Sequence, residues 1–171
     1  MNTSADAQTQ SECTVLTVFD KEFAHLLARS RRLIEVTPTH ILYRNPPSVA
    51  GSEANSIGES ILRSAGAVEQ TFGGITASLW DDPFEWTLPE TLGTRERVME
   101  YLAEVEQTRE RAFLSFSRDA ELLKRVAIPS GETLPLVTLL LHTLVRSAEY
   151  QGQATATLKI LSDVTVPGFI I

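Results

Sequence analysis

From Leu134 to Val145 the chain is apolar with only Thr138, His142 and Thr143 interrupting it. That run falls short of the ~20 residues needed to cross a bilayer, and it is too apolar for a solvated surface. It must therefore be buried in protein. The predicted helix over Thr133–Leu161 is apolar nearly all round in its first half, and such a helix sits inside a layer of others. Pro135 suits its first turn, where a missing amide would have no partner. The small residues Ala148, Gly152, Ala154 and Ala156 then allow close helix contacts in its second half.

Three further segments supply the covering helices. Between Thr14 and Val36, Leu16, Phe19, Phe23, Leu26, Leu27, Leu33 and Ile34 recur at three- and four-residue steps and form one stripe. This helix ends before Pro38, and the Pro, Gly and Asn content through Asn45-Pro46-Pro47 to Gly51 predicts a connecting loop long enough for a crossover. Ser56-Ile57-Gly58-Glu59 offers a capping box, with Ser52-Glu53 competing for the same role. The stripe behind it, Ile57, Ile61, Ala65, Val68, Phe72, Ile75 and Leu79, stops around Trp80-Asp81-Asp82-Pro83. Gly73-Gly74 inside it costs about 1 kcal/mol per residue against alanine, which points to a close backbone approach or a loosened last turn. Thr94 is an N-cap for a third helix with Val98, Leu102, Val105, Ala112 and Phe116 on its stripe. Its other face, Glu100, Glu104, Glu106, Arg109, Glu110 and Arg111, reads as a solvated face with helical ion pairs. Ile128-Pro129-Ser130-Gly131 breaks the chain before the fourth helix. Almost nothing reads as strand, so the expected class is all-α, an antiparallel four-helix bundle with one long crossover connection.

At 171 residues the chain is sized for one domain, here 13–163, preceded by a polar arm over 1–12 and followed by an apolar tail over 164–171. That tail should dock on the body or on a dimer partner, because free apolar surface is a liability. Lys and Arg total 15 against 22 Asp and Glu, a formal net charge of -7, which repels phosphate backbones and anionic lipid. Nucleic acid and membrane are thus poor partners. The first residues have neither a basic region nor an apolar core of a leader. The single cysteine, Cys13, forms no internal disulfide and no multi-cysteine metal site, and a reducing cytoplasm fits.

Chemistry has few candidates. The histidines His25, His40 and His142 are too far apart in sequence to form a helical pair of ligands. No phosphate-binding glycine loop or Gly-x-Ser-x-Gly elbow is present, and Cys13 has no histidine beside it. Trp80, Asp81, Asp82 and Trp86 form either a helix stop with aromatic packing or a pocket rim. The more informative pattern lies on the fourth helix, where His142, Arg146 and Tyr150 stack at four-residue spacing with Glu149 and Gln153 adjacent. Ser64, on the apolar stripe of the second helix, together with Arg63 and Glu69 would face them. A buried Arg146 requires an acidic partner, with Glu69 or Glu149 nearest. A structural polar network and a ligand pocket both fit this pattern.

Two of these segments, in order, resemble the DinB/YfiT-like proteins. Residues 139–153, ending in Gly152-Gln153, are similar to that family's last helix, which carries a His, a second His four residues on and a Gly-Gln pair. Residues 56–69 resemble its second helix, where a His precedes a Glu by five positions. The resemblance spans roughly 15–161. It implies a four-helix bundle with one long crossover, usually a homodimer, and in many members a divalent metal held by three histidines. Some members resemble thiol-dependent S-transferases or isomerases. Aligning Gly152-Gln153 and Glu69 with the family places Arg146, Tyr150 and Ser64 at the three histidine positions. Serine, arginine and tyrosine are a poor zinc or nickel set, and the fixed charge of arginine opposes a dication. His142, one turn before Arg146, would add a single ligand. The expectation is therefore no metal and no cofactor.

Three readings follow. In the first, the chain is a metal-free, stress-linked accessory bundle whose pocket between the second and fourth helices, lined by Ser64, Glu69, His142, Arg146, Glu149, Tyr150 and Gln153, binds a small anionic ligand. In the second, Arg146 replaces the metal and binds a thiolate or anionic substrate in S-transfer or isomerisation, with Tyr150 or Glu149 moving protons. In the third, the chain is a protein-interaction module that needs no pocket.

Overall fold

In a computed structural model, which describes residues 14–47, 54–82 and 91–164, the chain is mostly helical. Helix α1 spans Thr14–Val36, α2 Ile57–Ala77, α3 Arg95–Leu114 and α4 Leu136–Leu161. The arm over 1–12, Cys13, the Ser52-Glu53 pair, Trp86 and the tail beyond Val164 lie outside the described residues. No helix among the described residues is long and apolar enough to cross a membrane.

The helix starts follow local chemistry. Ser56 caps α2 through a complete capping box, its hydroxyl accepting from the Glu59 amide while the Glu59 carboxylate accepts from the Ser56 amide. Thr94 caps α3 by accepting from the Arg97 amide. Helix α1 takes a tertiary cap instead, with the amides of Val15 and Leu16 each donating to Asp119 at 2.9 Å. One departure from the expected all-helical pattern is a two-stranded antiparallel hairpin, β1 Arg125–Ala127 and β2 Thr133–Pro135, turning at Gly131 with φ +84°. The second strand takes the residues that periodicity assigned to the start of the fourth helix. Pro135 ends as the residue before the first helical position rather than inside the first turn.

Cross-helix bonds fix the relative directions. Ser64 meets Ser147 while Thr71 meets Thr143, so α2 and α4 are antiparallel. Arg109 reaches Asp20 and Arg31 reaches the Leu102 carbonyl, so α1 and α3 are antiparallel too. Gln151 donates to the Leu26 carbonyl and Arg29 to Thr155, which makes α1 and α4 parallel neighbours. Helices α2 and α3 therefore also run the same way, and α2 packs against both α3 and α4. Uniformly antiparallel neighbours are not what the chain adopts. The end-to-end passage joins α2 to α3, not the earlier loop after α1.

That passage explains the paired glycines. After Ser78, in the left-handed conformation at φ 57°, the chain turns back along α2. The carbonyl of Trp80 accepts from Gln70, one turn before Gly74. A Cβ on Gly74 would lie 2.4 Å from the Trp80 ring, and one on Gly73 would lie 3.1 Å from the Leu79 carbonyl oxygen. At the far end of the passage the Tyr43 hydroxyl donates to the Leu92 carbonyl at 2.6 Å, beside Gly58 at the start of α2.

All four helices contribute to one apolar core in which Phe23, Leu27, Ile34, Ile61, Phe72, Leu102 and Leu140 are fully buried. Each such side chain contributes about 1.5–3 kcal/mol of transfer free energy. Phe23, Phe72, Phe113 and Phe116 form a chain of edge-on and tilted ring contacts within it. Helix α4 is not enclosed, since Leu141 and Val145 are 49% and 58% exposed. Nor is the α3 polar face wholly solvated. Arg109 is buried, paired with Asp20 and with Glu106 at 2.8 Å, and Glu106 also holds Arg31 at 3.2 Å. Burial raises the Glu106 carboxyl's proton affinity, an effect that Arg31 opposes.

Candidate functional site

The phase of α4 decides where the expected site residues go. Its inward face carries Leu136, Leu140, Thr143, Ser147, Gln151, Ala154 and Leu158, a stripe one residue on from His142, Arg146 and Tyr150 and so rotated by about 100°. Small polar groups on that inner stripe bond without a ligand. Ser64 and Ser147 each donate a hydroxyl proton to the other's carbonyl at 3.0 Å, and the Thr71 and Thr143 hydroxyls meet at 2.7 Å. Gln151 donates to Ser30 and to the Leu26 carbonyl across the α1 interface.

The residues expected to line a pocket between α2 and α4 consequently separate. Ser64 is sealed into the helix interface. His142, Arg146, Glu149 and Gln153 are exposed, and Tyr150 is half-buried. Arg146 is thus a surface cation whose guanidinium donates to Gln70 at 3.4 Å, rather than an interior charge with an acidic partner. Gln153 accepts from Asn55 at 3.3 Å. The buried guanidinium of this protein belongs to Arg109. As a metal set, Ser64, Arg146 and Tyr150 do not fit: the serine hydroxyl is spent on a backbone carbonyl, and the arginine is a fixed cation pointing away. Among the described residues no group of three or more His, Cys, Asp and Glu side chains is placed to hold a metal ion.

Glu69 goes elsewhere. It lies in the wall of a cleft of about 820 Å³ between α2 and α3, with Gln70, Gly73 and Thr76 on one side and Tyr101, Glu104, Thr108 and Arg111 on the other. Leu79 and Asp81, from the segment that turns back over α2, close one edge. The cleft lies between the parallel α2 and α3, and the segment after α2, seated on Gly73 and Gly74, flanks it.

Tyr101 is the structural centre of this wall. It is buried, and its phenol donates to the Glu69 carboxylate at 2.7 Å. Burial, and then the Glu69 charge, push the phenol's ionisation far above its ordinary range. Tyr101 is therefore a fixed donor that orients Glu69. Gln70 ties the wall together, donating to the Trp80 carbonyl at 2.9 Å while accepting from Arg146. Among the described residues of this lining, three carboxylates, Glu69, Asp81 and Glu104, stand against the guanidinium of Arg111. The arrangement favours a positive charge over a negative one. In the sequence Tyr101 sits beside Leu102 on an apolar stripe, and the one signal that marks it is a hydroxyl at a core position, which needs a buried partner. Of the Trp80–Trp86 cluster, Asp81 rims the cleft and Trp80 covers Gly74.

Comparison of the chain with protein-family models, with curated proteins and with solved structures yields no match.

Proposed function

We propose that the chain is a DinB/YfiT-like four-helix bundle without the family's histidine metal site, and that it binds a small cationic ligand in the cleft between α2 and α3. What supports the bundle reading is four long helices with one end-to-end connection, which lies between parallel α2 and α3 rather than after α1. The ligand class rests on one observation: the Glu69 carboxylate is held in the cleft wall by the buried Tyr101 phenol, within a lining whose acidic groups outnumber its cation. An amine or guanidinium entering there meets an already oriented carboxylate, which reduces the ordering cost of a charge-assisted hydrogen bond. The anionic ligand expected from an interior Arg146 loses its basis, because Arg146 lies on the surface. Thiol-transfer chemistry using Arg146 in place of a metal loses the same support.

A thermal-shift panel of small primary amines, guanidinium compounds and size-matched carboxylates tests the proposal. Ligand at 100 times its Kd adds about 2.7 kcal/mol to stability, enough to raise Tm by several degrees. The expected result is a rise with cationic compounds that Glu69→Gln abolishes and Arg146→Ala leaves intact. A rise confined to carboxylates and lost in Arg146→Ala would overturn it in favour of an anion site on α4.

A further inference from the structure

Charge is sorted along the α2–α3 cleft. Among the described residues its acidic groups gather at one end. The Glu69 carboxylate accepts from Tyr101, and Glu104 stands one turn further along α3. Asp81 reaches the same level from the returning segment, because the residue before it, Trp80, accepts at its carbonyl from Gln70, next to Glu69. The charges of Glu104 and of Asp82, beside Asp81, both add to the rise in the Tyr101 phenol's ionisation, which sets them around that hydroxyl.

The cation stands at the other end. Arg111 folds back on its own helix, its Nε donating to the Gln107 carbonyl and its Nη2 to the Thr108 hydroxyl, each at 3.2 Å. Those bonds hold the guanidinium at the level of Thr108, about 10 Å along α3 from Tyr101 by the helix rise. The rest of its planar fork of donors is available to a carboxylate. Between the two ends the wall is uncharged among the described residues: Gly73 and Ala77 follow Glu69 by one and two turns, and the Leu79 amide donates to the Gly73 carbonyl at 3.2 Å.

A purely cationic ligand would match Glu69 and leave the Arg111 end unmatched, and a purely anionic one would meet the three carboxylates. A molecule with opposite charges at the two ends of an apolar chain matches the whole length. With charge-assisted contacts of about 2.8 Å at each end, its own charges stand about 5–8 Å apart. On the cationic-ligand reading of this cleft, from which it follows, we infer that the ligand is dipolar: an amino acid whose charged groups are separated by several methylenes, its ammonium on Glu69 and its carboxylate on Arg111.

Isothermal titration calorimetry of the full chain with ε-aminocaproate and with its methyl ester tests this. The ester keeps the ammonium and the chain and loses only the anionic end. ε-Aminocaproate should bind about three- to fivefold tighter than the ester, a modest ratio because Arg111 is exposed to solvent. Arg111→Gln should bring ε-aminocaproate down to the affinity of the ester and leave the ester unchanged, which also shows that the cleft is intact. Arg111→Glu should make the diamine of the same length the tighter ligand. Equal affinities for acid and ester in the wild type, both lost in Glu69→Gln, overturn the dipolar ligand while the cationic-ligand reading stands. An advantage of the acid that survives Arg111→Gln overturns it as well. No saturable binding of either compound removes both the inference and the reading beneath it.

Discussion

At the scale of single residues, the position of charge relative to the core separates groups that the sequence presents alike. Arg109 is 4% exposed and holds Asp20, Glu106 and Glu110, whereas Arg146 is exposed and makes one long bond to Gln70. Removing the Arg109 guanidinium leaves the largely buried Glu106 with Arg31 alone and takes an ion-pair partner from Asp20 and Glu110. Because Asp20 and Glu110 keep contact with water, Arg109→Met should destabilise by about 2–4 kcal/mol, below the upper end for fully buried pairs, as measured by urea unfolding. Arg146→Ala should stay within about 0.5 kcal/mol of wild type in the same assay.

Glu121 gives a residue-scale prediction in pH. Hydrogen bonds from Lys124 and from the Ser117 amide and hydroxyl hold its carboxyl down to about 2. A carboxyl whose folded value lies below its unfolded one contributes stability above the unfolded value, and that contribution fades as pH falls toward the folded one. Stability should therefore drop between about pH 5 and pH 2, with part of the drop absent in Glu121→Gln. Denaturant midpoints taken across that range, with equal slopes for both proteins contradicting the assignment, provide the check.

At the scale of elements, what was readable from sequence was where helices start and stop. Ser56 with Glu59, Thr94, and the break before Pro38 each act within a few residues, so local chemistry settles them. The rotation of α4 was not readable. Its first half is apolar on every side, so no one-sided apolar pattern favours the His142–Arg146–Tyr150 stripe over Thr143–Ser147–Gln151. The choice falls to long-range contacts, in which hydroxyls that bond to carbonyls across α2 displace larger polar groups outward. The hairpin over 125–135 escaped for a similar reason, since three-residue strands carry almost no period.

Gly73-Gly74 shows the same interplay in reverse, a local cost that signals a distant contact. In an isolated helix Gly74→Ala would stabilise by about 1 kcal/mol. Here the added methyl collides with the Trp80 ring, so the variant should instead lose about 1–3 kcal/mol, as overpacked sites do. It should also shift tryptophan fluorescence toward the solvated spectrum. A stabilised Gly74→Ala with unchanged fluorescence would mean that the returning chain does not lie on α2.

At the scale of the whole molecule, the directions of the helices connect fold to function. Because α2 and α3 run parallel, one connection must return along them, and the groove it flanks becomes the cleft that holds Glu69, Tyr101 and Asp81. The sequence contained Glu69 as a site residue but paired it with the wrong helix, since adjacency among four helices depends on their directions and not on their stripes. The net charge of -7 takes a local form in this lining.

The most direct test is a nitrogen-15 NMR titration with the small amine that gives the largest thermal shift, followed residue by residue. The account predicts saturable shifts centred on the amides of Glu69, Gln70, Tyr101 and Thr108, abolished in Glu69→Gln. Shifts centred on Ser64, Ser147 and Arg146, or none that saturate near the α2–α3 cleft, would contradict it.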